Sequence, residues 1–229
     1  PGHANAVSAL YTASMAESPV VLISGHAPLN QLGKGAFQEM AQADIAAPLT
    51  KASWTCQKVE DIASDTAKAI RIAKSGRPGP THLSLPSDIL ESLAPLNALL
   101  PSSGDFLAEH KATNFDTSVV LSQLMASKKP LILVGPMMLS KSGRKRLLAL
   151  EESLNIPIIG MESPRGIGDP SLGAFSEVLS QADCILLIGK KLDFTLKFGN
   201  SPSINPGCNF LQIDPEENEI ERVKNAIGN

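Results

Sequence analysis

Short apolar runs that stop at a glycine or an aspartate recur along this chain, and stretches long enough for a helix separate them. Val20 to Ser24 ends at Gly25, Leu131 to Val134 at Gly135, Ile185 to Ile188 at Gly189, and Phe210 to Ile213 at Asp214. Runs of this length without polar alternation are the mark of strands buried on both faces. Between them, Val59, Ile62, Ala63, Thr66, Ala67, Ile70 and Ala73 recur at helical spacing, with Gly76 as the stop. Ser140 to Leu154 reads as a second long helix. Strand, helix and strand in this order demand right-handed crossovers and a mainly parallel sheet with helices on both faces. The predicted class is α/β, with two doubly wound, mainly parallel-sheet, Rossmann-like domains, the first truncated at its N-terminus.

The weaker signals fit the same scheme. Ala4, Val7, Ala9, Leu10 and Ala13 predict a helix, and Thr81 to Leu85 a strand closed by Pro86. Asp116 is placed to cap a helix carrying Val119, Val120, Leu121 and Leu124. Ile156 to Ile159 predicts a strand, and Leu172 to Gln181 and Glu216 to Asn225 predict helices. From Leu93 to Asn114 no period persists, and Pro95, Pro101, Ser102, Ser103 and Gly104 interrupt the chain. Residues 93–114 are therefore read as a linker, with one domain at 1–92 and another at 115–229.

Composition narrows the function classes. Net charge is −3, and no basic stripe exists to track a phosphate backbone, so nucleic acid is an unsuitable partner. The basic cluster Arg144-Lys145-Arg146 reads as a solvated helix face. No apolar run approaches the ~20 residues of a membrane span. Cys56, Cys184 and Cys208 are too scattered for a disulfide framework or a zinc site, which suits a cytoplasmic setting. The chain starts at Pro1 with no signal-like segment, and is read as starting inside a longer protein.

In open parallel sheets ligands bind beyond the carboxyl ends of strands. In the second domain that rule selects Gly135-Pro136, Gly160 to Gly168, Gly189 to Asp193 and Asp214-Pro215. Asp214 is placed to accept from a ribose hydroxyl, and Lys190, Lys191 and Arg165 to meet phosphate. The alternative is that the glycines only make turns and the charges are solvated; no G-x-G-x-x-G pattern decides the matter. In the first domain the notable segments are Pro1-Gly2-His3-Ala4-Asn5, Ile23-Ser24-Gly25-His26, Gly33 to Glu39, Thr50-Lys51 and Gly76 to Pro80. By chemistry alone Gln38 could be helix surface, Lys51 a solvated lysine and His26 a turn residue.

Taken together, these segments resemble the thiamine-diphosphate enzyme superfamily, closest to acetolactate synthase and its relatives. The resemblance rests on Pro1-Gly2 with Asn5, Ile23-Ser24-Gly25, Ala36-Phe37-Gln38-Glu39, Thr50-Lys51, Gly76-Arg77-Pro78-Gly79-Pro80 and Leu85-Pro86-Ser87-Asp88, in register. They are similar to the later part of the family's pyrimidine-binding domain. Pro130 to Gly135, Asn155-Ile156-Pro157, Ala182-Asp183, Gly189 and Ile213-Asp214 resemble its central domain less specifically. The family's early glutamate, and its third domain with the Gly-Asp-Gly motif for Mg²⁺ and diphosphate, have no match here.

The resemblance implies thiamine diphosphate with Mg²⁺ in an intact parent enzyme, and FAD or ADP in the central domain. It implies Gln38, Phe37 and Lys51 as catalytic residues, with Lys51 near the substrate entrance. Pro1, Gly2, Asn5 and His26 would border the cofactor, and Gly135, Pro136, Gly189, Lys190 and Asp214 a nucleotide. Arg77 would fix a turn. The implied reaction makes or breaks a carbon–carbon bond beside a carbonyl, on a 2-oxo acid or acyl substrate. The implied assembly is a homodimer or tetramer, and the fragment alone would be inactive. His26 stands where acetolactate synthases usually have Gln, and Gly35 where they usually have Asp, so the substrate need not be pyruvate. The region after Gly166 is shorter than in flavin-binding synthases, and oxalyl-CoA decarboxylase relatives use this domain for an adenine nucleotide. A 2-hydroxyacyl-CoA lyase or oxalyl-CoA decarboxylase-like enzyme is thus one alternative. A non-catalytic nucleotide-binding module and a scaffold are others. The central domain's topology also resembles the sirtuin-like NAD-binding fold, but three scattered cysteines do not match a sirtuin's four-cysteine zinc site.

Overall fold

The computed structural model describes residues 1–96, 98–108, 116–162 and 166–227. Arg165, expected to meet phosphate, and the end of the expected linker lie outside the described residues. The chain divides into two compact units, residues 1–110 and 111–229.

In the first unit, helix α1 (Gly2–Met15) leads into strand β1 (Val21–His26). Helix α2 (Gln42–Ala46), strand β2 (Ser53–Thr55), helix α3 (Ile62–Lys74), strand β3 (Thr81–Pro86) and helix α4 (Ser87–Glu91) follow. The three strands are parallel in the order β1-β3-β2. The two faces of β3 differ in chemistry. Leu83 and Leu85 join Cys56 in an apolar core, against Trp54, Ile62 and Ile89. His82 and Ser84 alternate with them, as a strand's period of two requires, and are buried as well. Their face is met by α1 and α2 through hydrogen bonds.

Val20 to Ser24 was expected to be buried on both faces, but β1 is the edge strand of this sheet and Ile23 is 50% exposed. Two short elements escaped the periodicity. β2 has three residues, below the length at which alternation can be read, and α4 is little more than one turn. Part of the expected linker is folded. Residues 103–106 form a 3₁₀ turn closed by a capping box between Ser102 and Asp105.

In the second unit, helix α5 (Thr117–Ala126), strand β4 (Pro130–Val134), helix α6 (Lys141–Leu154), strand β5 (Ile158–Gly160) and helix α7 (Phe175–Gln181) come first. Strands β6 (Cys184–Ile188) and β7 (Asn209–Ile213) and helix α8 (Glu217–Ile227) complete it. All four strands are parallel, in the order β5-β4-β6-β7. The apolar runs follow from burial on both faces. Leu131 and Leu133 point into one core with Ile185, Leu187, Phe175 and Leu179. Ile132 and Val134 point into the other with Leu186, Leu124 and Leu147. Each such side chain stabilises the fold by roughly 1.5–3 kcal/mol.

Asp116 is the cap expected of it and accepts from the Ser118 amide, while Ser140, expected as the first helical residue, instead caps α6 by accepting from the Gly143 amide at 3.1 Å. The helix expected from Leu172 to Gln181 is broken instead, because Gly173 adopts φ +58° between a short turn at residues 170–172 and α7.

Candidate functional site

A cleft of about 670 Å³ opens beyond the carboxyl end of β1. Of the residues expected there, Pro1, Gly2, His26, Phe37 and Gln38 line it, joined by His3. Pro1 and Gly2 bring the start of α1 to the cleft, and His26 is the last residue of β1. Asn5 is exposed and is not among the lining residues; its amide donates to the Pro1 carbonyl at 3.0 Å.

Phe37 and Gln38 reach the cleft on a loop that clamps itself. The Glu39 carboxylate accepts from the Gly33 amide at 2.5 Å and the Ala36 amide at 3.1 Å. These two N–H groups, Gly33 first, hold the Glu39 pKa below the usual carboxylate range. Gly33 and Gly35 take φ of +77° and +79°, which few other residues adopt cheaply. Gln38 takes φ +57° although it has a side chain, a strain of about 1 kcal/mol that the closed loop must impose. The result is a Phe37 ring 87% exposed on the loop. His26 fastens the far end: its Nε2 lies 2.9 Å from the Met40 carbonyl and its Nδ1 3.0 Å from that of Ala27. Asp88 receives the Leu29 amide at 3.0 Å and tethers the segment after β1 to α4.

Beneath the cleft lies a buried polar layer. Gln42 of α2 donates to the Gly25 carbonyl at 2.8 Å and accepts from the Ser84 hydroxyl at 2.6 Å. His3 Nδ1 stands 2.8 Å from Ser24 Oγ, and His82 Nε2 stands 3.2 Å from the same oxygen. His82 Nδ1 stands 2.8 Å from Ser53 Oγ. The His3 and His82 rings lie 4.6 Å apart. Burial lowers both pKa values: His82 falls to about 4, with the His3 and His26 charges adding to burial. For His3 the Gln42 backbone opposes the fall, and His26 adds to it. Both rings are therefore neutral at neutral pH. Sequence reading missed this layer. The signal available was the alternation of His82 and Ser84 with leucines in an otherwise apolar strand.

Other expected residues are held elsewhere. Lys51 precedes β2, at the amino end of the sheet, and donates to the carbonyls of Ile72 (2.7 Å) and Ser75 at the end of α3. There its charge complements the helix dipole and is not brought to the cleft. Arg77 pairs with buried Glu17, in keeping with a role in the turn. In the second unit, a Cβ on Gly135 would meet the Gly189 carbonyl oxygen at 2.0 Å, so this glycine allows two strand ends to touch. Pro136 opens the turn 136–139. Lys190 is buried, its ammonium donating to Thr195 Oγ1 (2.8 Å), the Lys191 carbonyl (2.9 Å) and Asp193 (3.2 Å). Asp214 accepts from Gln212 Nε2 and from the Glu216 amide. Among the described residues, no group of three His, Cys, Asp or Glu side chains is placed to hold a metal ion. Nor is any helix among them long and apolar enough to cross a membrane.

Comparisons with known proteins bear on both units. Residues 1–45 match the family model for the N-terminal TPP binding domain of thiamine pyrophosphate enzymes, and residues 118–228 match the model for the central domain. The large subunit of acetolactate synthase isozyme 3 from Escherichia coli is 29% identical, over 99% of this chain and 42% of its own length. Isozyme 1 is 24% identical over 98% of this chain and 41% of its own. Oxalyl-CoA decarboxylase from Escherichia coli is 29% identical, over 96% and 41%. The chain thus spans about two-fifths of the length of these relatives. Two parallel α/β units and both domain matches lead to one conclusion: the chain belongs to the thiamine pyrophosphate enzyme family.

Proposed function

We propose that this chain forms the pyrimidine-facing wall and the central domain of a longer thiamine-diphosphate enzyme. Its reaction makes or breaks a carbon–carbon bond beside a carbonyl, on a 2-oxo acid or an acyl substrate. The observation that carries the reading is the cleft where Phe37 and Gln38, on the Glu39-clamped loop, face Pro1, Gly2 and His26.

The residues suit a flat heteroaromatic ring. Pro1 and Gly2 offer a surface without bulky side chains, and Phe37 an apolar wall. His3 contributes a buried ring nitrogen with no partner among the described residues. When bound, the cofactor supplies the carbon nucleophile and the electron sink. Gln38 orients the reacting carbonyl by hydrogen bonding, Phe37 excludes water, and His26 holds the loop to the strand end. Mg²⁺ and the diphosphate fall to a further domain, and no residue here is assigned to them.

The second reading is an oxalyl-CoA decarboxylase-like or 2-hydroxyacyl-CoA lyase-like activity. It is favoured by the decarboxylase relative. For the central unit the ligand class is FAD or ADP, at the strand ends where Gly135, Pro136, Gly189, Lys190 and Asp214 gather. A homodimer or tetramer fits a loop that leaves Phe37 uncovered. A cytoplasmic location fits three free cysteines.

Steady-state assays with thiamine diphosphate, Mg²⁺ and either pyruvate or oxalyl-CoA test the proposal. Turnover is expected from the full-length protein and none from this chain alone. An inactive full-length protein, or a 229-residue chain that turns over, overturns it.

A further inference from the structure

The polar layer under the cleft has a direction, and counting protons reveals it. The Ser53 hydroxyl has one proton and gives it to the Ala43 carbonyl at 2.8 Å. Ser53 Oγ must then accept from His82 Nδ1. Neutral His82 is left with a bare Nε2, which takes the Ser24 proton. Ser24 Oγ in turn accepts from His3 Nδ1. Neutral His3 therefore has a bare Nε2. That nitrogen is buried and has no hydrogen-bond partner among the described residues, in a side chain that lines the cleft. A buried acceptor left without a partner costs about 1–3 kcal/mol, so the arrangement is complete only with a donor beside it.

We propose that His3 is a ligand-binding residue of the cleft. Held as the Nδ1–H tautomer by Ser24, His82 and Ser53, it accepts a hydrogen bond at Nε2 from a hydroxyl or amino group of the bound molecule. The ligand class is a neutral donor rather than an anion, because a bare imidazole nitrogen repels a carboxylate or phosphate oxygen. Because Nε2 is buried, the contact needs the cleft wall at the start of α1 to yield slightly. The inference rests on the reading of this cleft as the cofactor and substrate site. Ser24, His82 and Ser53 are positioning residues that act through His3.

Two measurements test it. In two-bond ¹H–¹⁵N spectra of this chain at neutral pH, His3 is expected to show a protonated Nδ1 and a bare Nε2. Ser24→Ala is expected to mix the tautomers. A protonated Nε2 in the unsubstituted chain overturns the proposal, whatever the cofactor. In the full-length protein, thiamine diphosphate binding is measured for two variants. His3→Gln keeps a hydrogen-bonding group near the Nε2 position and is expected to bind like the wild type. His3→Asn keeps only the Nδ1 side and is expected to bind about fivefold more weakly or worse, the share of one hydrogen bond. Equal binding by wild type and both variants overturns the His3 contact and leaves the cofactor reading standing. A wild-type protein that does not bind thiamine diphosphate overturns both.

Discussion

Glu39 holds the backbone N–H of Gly33 at 2.5 Å, so the loop that presents Phe37 and Gln38 is closed by its own last residue. Glu39→Gln removes the charge from both amide contacts and should loosen the loop without unfolding the domain. Hydrogen exchange at the Gly33 and Ala36 amides should speed up about tenfold, as for a local opening. The sign with pH follows from the lowered pKa. The clamp is in force above the ordinary carboxylate range and is lost as pH falls through the depressed value. Unchanged exchange in the variant would detach Glu39 from loop order.

Gln38 carries two opposed roles, and two substitutions separate them. Gln38→Gly removes the left-handed strain but returns much of it as unfolded-chain entropy, so stability should change by less than about 1 kcal/mol. In the full-length enzyme Gln38→Ala should lower kcat more than it raises KM, because its hydrogen bond is assigned to the reacting carbonyl. Thermal melts and steady-state kinetics read the two effects. An unchanged kcat removes Gln38 from the site.

His82 makes stability depend on pH. Its pKa is about 4 folded against 6.5 for an unperturbed histidine, chiefly because the ring is buried, with His3 and His26 adding to the fall. The unfolded chain binds the proton more readily, so stability rises with pH through this window. It is complete above about 6.5 and lost by about 4, a change of about 3 kcal/mol. Urea midpoints measured across pH 4 to 7 should show that slope, and His82→Asn should flatten it. A slope that survives the substitution would assign it to another group.

Two glycines should respond oppositely to a methyl group. Gly135→Ala drives a Cβ to 2.0 Å from the Gly189 carbonyl oxygen and should cost about 3 kcal/mol or more. Gly25→Ala meets nothing within 4 Å and should be close to neutral. Equal melting temperatures for the two variants would mean that the strand ends can separate freely.

The parts of the fold legible from sequence are those where burial leaves one solution. β4 and β6 are covered on both faces, so every position is apolar and the run stands out. Asp116 announces a helix start because a cap needs an oxygen at one fixed place. The polar layer was hidden because His3, Ser24, Ser53 and His82 come from four elements far apart in sequence. Only the three-dimensional register of β1, β2 and β3 brings them together. Lys51 shows the converse. The lysine was visible, but the chain folds its ammonium onto the end of α3.

The loop from Gly33 to Glu39 is tied mainly to itself, with its glutamate bonded to amides of the same segment. Its shape is therefore portable. Residues at its tip can be exchanged without disturbing the strands below.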